Sequence, residues 1–259
     1  MDNVKLEIDN ISVKYETATT ETEALRNVTI SVKEHEFVSI VGPSGCGKST
    51  LLKVISGLLK PSAGQIRIDG KPVQGIPEQV GFVFQNDALL PWKNVIDNVR
   101  LPLDIKGIPK KEQLERAKQL IDMVGLTSFE HYSINQLSGG MRKRAALART
   151  FAHDPDIYLM DEPFGPLDAQ TRVNIGEEFL SLWERFGKSV VFVTHDIEEA
   201  IAMSDRVIVM SLRPGMVKEE FTIDLGRPRP FYQSRFEPNF RRLQKKIWQS
   251  LSVQEEYSL

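Results

Sequence analysis

The sequence predicts an α/β fold: a mostly parallel sheet core, an N-terminal antiparallel β layer, and an inserted helical subdomain. Three observations predict it. The chain opens with apolar residues alternating with polar ones, as half-buried antiparallel strands do. Short unbroken apolar runs follow, with helical segments between several of them, as in strands covered on both faces. A helix-rich stretch, residues 86–153, separates two of those runs.

In chain order, Leu6, Ile8, Ile11, Val13 and Tyr15 mark the first strand, and residues 28–32 alternate in the same way. Residues 37–41 form an apolar run ending at a glycine-rich turn, after which residues 50–56 have helical spacing and Gly57 marks the stop. Further buried strands are expected at residues 79–84, 157–160, 190–193 and 207–210. The insert reads as a separate lobe, with a charged amphipathic helix over 110–123 and another helix over 141–151. Residues 225–230, with Gly226, Pro228 and Pro230, read as a loop before a short C-terminal helix. Repeats, heptad arrays and low-complexity tracts are absent from the sequence.

Bulk properties narrow the function. A chain of 259 residues that is 41% hydrophobic buries an ordinary globular core. Lysine plus arginine (33) nearly balances aspartate plus glutamate (35), so no global field draws the chain to nucleic acid or acidic lipid. A single cysteine forms no internal disulfide or cysteine-based zinc site, and four histidines show no ligand spacing. Met1-Asp2-Asn3-Val4 lacks a basic flank, and no apolar run approaches the roughly 18 residues that cross a bilayer, so the chain is expected to stay in the cytoplasm.

Gly42-Pro43-Ser44-Gly45-Cys46-Gly47-Lys48-Ser49 fits G-x-x-x-x-G-K-[ST] between an apolar strand and a helix start. Its glycines let backbone N–H groups converge on phosphate oxygens, and the helix adds the positive end of its dipole. Lys48 then reaches the β- and γ-phosphates and the Ser49 hydroxyl coordinates Mg²⁺. A chance glycine-rich turn would have to acquire that strand and helix by accident as well. Residues 157–160 deliver Asp161 and Glu162, two acids for which a buried strand has no structural use. Beside a P-loop, Asp161 is expected to hold Mg²⁺ through water and Glu162 to act as general base; alone, the pair would read as a strand ending in solvent.

Leu137-Ser138-Gly139-Gly140-Met141 makes the sequence specific. Together with the P-loop, Asp161-Glu162-Pro163 and His195, it resembles the ABC-type ATPases over nearly the whole chain. The resemblance implies a P-loop NTPase of ABC type. Residues 1–85 and 154–225 would form the RecA-like core with its β layer, 86–153 the helical subdomain with the signature, and 226–259 a short C-terminal extension. It also implies that Ser138, Gly139 and Gly140 of one subunit close over the γ-phosphate held by the P-loop of another, in a head-to-tail homodimer. Read without the family, Ser138-Gly139-Gly140 is a plain helix cap.

The family reading carries over residue by residue. Gln85 resembles the Q-loop glutamine that touches metal and water, and His195 the switch histidine on the γ-phosphate. The ATP set is Gly42, Pro43, Ser44, Gly45, Cys46, Gly47, Lys48, Ser49 and Thr50, with Tyr15 either stacking on adenine or packing in the β layer. Ser49, Gln85 and Asp161 form the metal set. Asp168 resembles the D-loop aspartate that couples two sites, and it also suits a helix N-cap. Two positions depart from the pattern: Met141 where many relatives have glutamine, and Pro166 where alanine is common. Pro166 lacks an N–H and fixes its φ, which would stiffen the D-loop and puts its cross-subunit contacts in doubt.

The loop from Asn86 to Val95, with Leu90 and Trp92, reads as a docking patch for a transmembrane permease or as packing within the lobe. This loop, Asp69-Gly70-Lys71-Pro72-Val73 and the segment from Thr194 to Ala200 look most like the nitrate, sulfonate and taurine group of bacterial ABC importers. That resemblance implies a peripheral subunit on the cytoplasmic face of the membrane, working with permease subunits and indirectly with a periplasmic or extracellular solute-binding protein, without nucleic acid. The alternative is a soluble ABC ATPase acting on DNA or ribosomes. The short insert and single nucleotide domain argue against it. Arg227, Arg229, Arg235, Arg241, Arg242, Lys245 and Lys246 make the C-terminal region locally basic, either as a solvated face or as a lipid or partner contact.

Overall fold

The computed structural model describes residues 3–16, 20–165 and 167–252; Pro166, on which the expected stiffening rests, lies outside the described residues. Strands β1 (Val4–Glu16) and β2 (Glu21–Lys33) pair antiparallel, with Leu6, Ile8, Ile11 and Val13 buried. Those four residues change parity between Ile8 and Ile11, and a strict period of two would turn half of them to solvent. A register irregularity there, with Asn10 at φ 50°, absorbs the extra residue and keeps both pairs inward. Strand β2 starts at Glu21, earlier than its alternating segment, because the pairing with β1 continues through Glu16.

The remaining strands are β3 (Phe37–Val41), β4 (Ala63–Ile68), β5 (Lys71–Pro72), β6 (Val80–Val83), β7 (Ile157–Asp161), β8 (Ser189–Val193), β9 (Arg206–Met210) and β10 (Val217–Thr222). The helices are α1 (Lys48–Ile55), α2 (Val95–Ile105), α3 (Lys110–Met123), α4 (Gly139–His153), α5 (Ala169–Phe186), α6 (Ile197–Met203) and α7 (Pro238–Ser252). Strands β4 and β5 complete a four-stranded layer in the order β2-β1-β4-β5. The core sheet runs β10-β9-β3-β8-β7-β6, parallel from β9 to β6, with β10 antiparallel at the edge.

Alternate side chains of the core strands feed two apolar clusters. Phe37, Val41, Met160 and Phe192 join the helices, whereas Val38, Ile40, Leu159 and Val191 join α1 and the β layer. Coverage on both faces is why these strands read as unbroken apolar runs. The inserted helices close no separate core: Val99, Leu103 and Ile121 belong to the same cluster as Phe37 and Phe192. At the C-terminus α7 runs over Pro238–Ser252, burying Phe240, Leu243 and Ile247 and exposing Arg241, Arg242, Lys245 and Lys246.

Candidate active site

The turn between β3 and α1 is shaped by Gly47, whose φ of 106° is open to glycine and costly for other residues. A Cβ there would lie 2.6 Å from Leu25 Cδ2 and 2.9 Å from the Ala24 carbonyl oxygen. As the N-cap of α1, Gly47 makes no side-chain bond to the first-turn amides, and that turn carries no acid. An anion is the natural partner for such a helix end. Lys48 Nζ donates to the Gly42 and Pro43 carbonyls at 2.8 and 2.9 Å, folding the ammonium over the turn. Cys46 belongs to this turn by its backbone, but its thiol is buried in the core beside Met210. Burial pushes that thiol's pKa up.

Ser44, Gly45, Gly47, Lys48, Ser49 and Thr50 line a cleft of about 460 Å³, walled by Tyr15, Ala24, Gln85, Glu162, His195 and Arg213. A slightly larger cleft of about 490 Å³, lined by residues including Arg172, Asp196, Phe231 and Arg235, contains none of the P-loop residues. Tyr15 is 42% exposed, with its hydroxyl 3.3 Å from Thr50 Oγ1, so it stands at the cleft wall and not in the core of the β layer.

Three parallel strands deliver the rest of the site at their carboxyl ends, where open α/β sheets bind ligands. At the end of β7, Asp161 Oδ1 accepts a 3.0 Å hydrogen bond from the Ser49 hydroxyl. Burial raises the Asp161 carboxyl pKa, and the Ser49 bond opposes that shift. Glu162 follows at φ 45°, an uncommon conformation for a residue with a Cβ. Its N–H is bonded to the Val193 carbonyl at 2.9 Å, and its carbonyl accepts from Gly165 N–H at 3.2 Å. Its Oε2 lies 3.4 Å from Gln85 Nε2, beyond β6, and 3.3 Å from His195 Nδ1, beyond β8. Gln85 and His195 therefore converge on one carboxylate oxygen of Glu162.

This donor set fits Mg²⁺. A hydroxyl and a carboxylate within hydrogen-bond distance are hard oxygen ligands, and among the described residues no cluster of three or more His, Cys, Asp or Glu could form an all-protein metal cage. Mg²⁺ commonly takes one or two carboxylate ligands and completes its shell with phosphate oxygens and water.

The signature residues lie elsewhere. Ser138 caps α4, its hydroxyl accepting from Met141 N–H at 3.3 Å. Ser138 and Gly140 line a separate cleft of about 430 Å³ with Leu167, Asp168 and Thr171. Gly139 begins the same helix. Asp168 caps α5 through a 3.0 Å bond from Thr171 N–H, and hydrogen bonds from Thr171 hold its carboxyl below the usual range. Within one chain, the P-loop and the signature do not share a cleft.

Sequence reasoning missed the supports of this site. Arg213, on the turn between β9 and β10, enters the P-loop cleft and donates to the Gly45 carbonyl at 3.2 Å. Arg172 donates to the Leu167 carbonyl at 3.0 Å, and its guanidinium lies 3.4 Å from Asp196 Oδ2 and 3.5 Å from Glu199 Oε1. Thr194 donates to Glu199 at 2.6 Å and accepts from Asp196 N–H at 3.0 Å, fixing both neighbours of His195. Arg213 reaches Gly45, and Arg172 reaches Asp196 and Glu199, from far along the chain, so no local pattern marks those two contacts. Trp92 is 77% exposed on a loop whose backbone is pinned by buried Asn98, through the carbonyls of Leu90, Lys93 and Asn94.

Comparison with known proteins yields consistent findings. The family model described as ABC transporter matches residues 25–165. An uncharacterized ABC transporter ATP-binding protein of Methanocaldococcus jannaschii is 50% identical over 226 residues, covering 87% of this chain and 85% of the relative. The taurine import ATP-binding protein TauB of Yersinia pestis is 44% identical over 204 residues, covering 79% and 80%. A solved dimeric ATP-binding cassette, in a post-hydrolysis state with ADP and Pi, superposes with a TM-score of 0.77 at 37% identity, covering 85% of this chain and all of that one.

Proposed function

The chain belongs to the ABC transporter family, and we propose that it powers an importer as one of two identical ATPase subunits bound to transmembrane permease subunits. It is an ABC ATPase, converting ATP and water to ADP and phosphate in step with transport. The finer reading places it as a peripheral subunit on the cytoplasmic face of the membrane, energising uptake of a small solute of the nitrate, sulfonate or taurine kind. A solute-binding protein would work on the far side. The TauB relatives support the solute class, and Trp92, held out from a pinned loop, supports permease docking.

One observation carries the dimer: the two anion-binding helix ends of a single chain open into different clefts. The P-loop cleft supplies Lys48 and Ser49, with Asp161 behind the Ser49 hydroxyl, while Ser138, Gly139 and Gly140 start a helix that has no phosphate motif in front of it. Two copies placed head to tail would give each P-loop a signature, with Asp168 beside the junction, and the solved relative, a dimer with ADP and Pi, supports a dimer.

In the completed site Lys48 pairs with the β- and γ-phosphates and Tyr15 offers its ring to adenine. Ser49, Asp161 and Gln85 would hold Mg²⁺, which would supply positive charge against the phosphates. Glu162 takes the proton of the attacking water as its oxygen bonds to the γ-phosphorus and the bond to ADP breaks, and His195 steadies the γ-phosphate. Glu162→Gln should retain ATP binding, lower hydrolysis by about 10²- to 10⁴-fold and accumulate an ATP-bound dimer. Near wild-type turnover, measured by phosphate release, would remove Glu162 from the role of base.

A further inference from the structure

The segment just past β6 has left the sheet, so its carbonyls need donors from elsewhere. Helix α4 supplies them. Lys143 Nζ donates to the Phe84 carbonyl at 2.9 Å and to the Gln85 carbonyl, and it lies 3.5 Å from Asp87 Oδ1. Arg142 holds the other Asp87 oxygen at 3.1 Å, and Arg149 donates to the Ala88 carbonyl at 2.8 Å. Lys143 is 1% exposed, and burial pushes its pKa down against the pull of Asp87. Burying a cation is costly unless its donors are used, and here three acceptors surround one ammonium group.

The placement matters because α4 has two ends of interest. Its N-cap is Ser138, five positions before Lys143, and the residue Lys143 grips is Gln85, whose side chain approaches Glu162. We propose that Lys143 is a positioning residue that joins the signature end of α4 to Gln85, so that a nucleotide meeting Ser138 is registered at the other cleft of the same chain. This rests on the ATPase-dimer reading above. Lys143 touches no substrate; it sets where Gln85 stands.

The test compares Lys143→Met, Lys143→Arg and Gln85→Ala with the full-length wild-type chain for MgATP hydrolysis, ATP affinity and thermal midpoint. Lys143→Met should lower kcat by about 10- to 100-fold, the cost of a misplaced group, while leaving the ATP Kd within about threefold. Lys143→Arg, which can still donate to two carbonyls, should recover most of that loss. In the double variant, Lys143→Met should add little to Gln85→Ala, because both act through one side chain. If Lys143→Met does not fold, Lys143→Arg and Lys143→Gln are compared in the same cycle. Losses that add in the double variant would overturn the inference, as would a kcat within about threefold of wild type. A wild-type dimer without ATPase activity would instead sink the parent reading.

Discussion

Glu162 is held by its backbone before its carboxylate does anything. A left-handed φ, an amide bonded to Val193 and a carbonyl bonded to Gly165 fix its backbone, and the carboxylate faces Gln85 and His195. Strain of this kind, of order 1–3 kcal/mol, persists where surrounding structure over-determines the residue. Gly47 meets a harder limit, since its φ of 106° and its contacts at 2.6 and 2.9 Å both forbid a side chain. Gly47→Ala should weaken ATP binding at least about tenfold, a loss of about 1.4 kcal/mol. Gly45→Ala, strained by a φ of 74° but without a clash, should be milder, because the nearest atom to its Cβ is a flexible arginine nitrogen at 3.8 Å. Fluorescent-nucleotide titration of both variants measures the difference, and equal affinities would contradict the cradle geometry. The P-loop and the Asp161-Glu162 pair were legible in the sequence because each is contiguous and each ends a buried strand. Arg213 and Arg172 were not, since their partners lie far away along the chain and nothing local distinguishes them from surface arginines.

The elements show the same division. Strands buried on both faces declared themselves as apolar runs, but β4, β5 and β10 are short, largely exposed and sit at or beside sheet edges, so their sequences carry no clear alternation. The short helix α6 is fixed by Asp196, which accepts from the amides of Glu198 and Glu199. Inside it Glu199 is pushed up to about 7 by burial, against the Thr194 hydrogen bond and the charges of Arg172 and His195, while Asp196 adds to the rise. Unfolded, the same carboxyl titrates near 4.5. Between those values the folded chain keeps a proton that the unfolded chain releases, so this group lowers stability progressively as pH rises through the window, and fully above it. Glu199→Gln should therefore raise the thermal midpoint relative to wild type at pH 8, by about 2–4 °C. At pH 4.5 the advantage should vanish. A variant less stable than wild type at pH 8 would show that the Thr194 and Arg172 contacts outweigh burial.

At the scale of the whole molecule, the Lys48 and Ser138 clefts of one chain are separate, and the proposed reaction centre needs both. The Ser138 cleft and the Lys48 cleft are lined by different residues. The sequence revealed both halves through their motifs, yet their separation became visible only once the sheet order placed β3, β8, β7 and β6 side by side. In the proposed dimer a second copy supplies the missing half, which would make the catalytic unit a property of the pair. The most direct measurement mixes two inactive chains, Lys48→Ala and Ser138→Arg, and follows phosphate release. Each alone lacks one half of every site, but a mixed pair contains one complete site. An equal mixture should recover up to about a quarter of the wild-type rate, because half the dimers are mixed and each has one working site of two. A mixture as inactive as its parents would contradict the shared site.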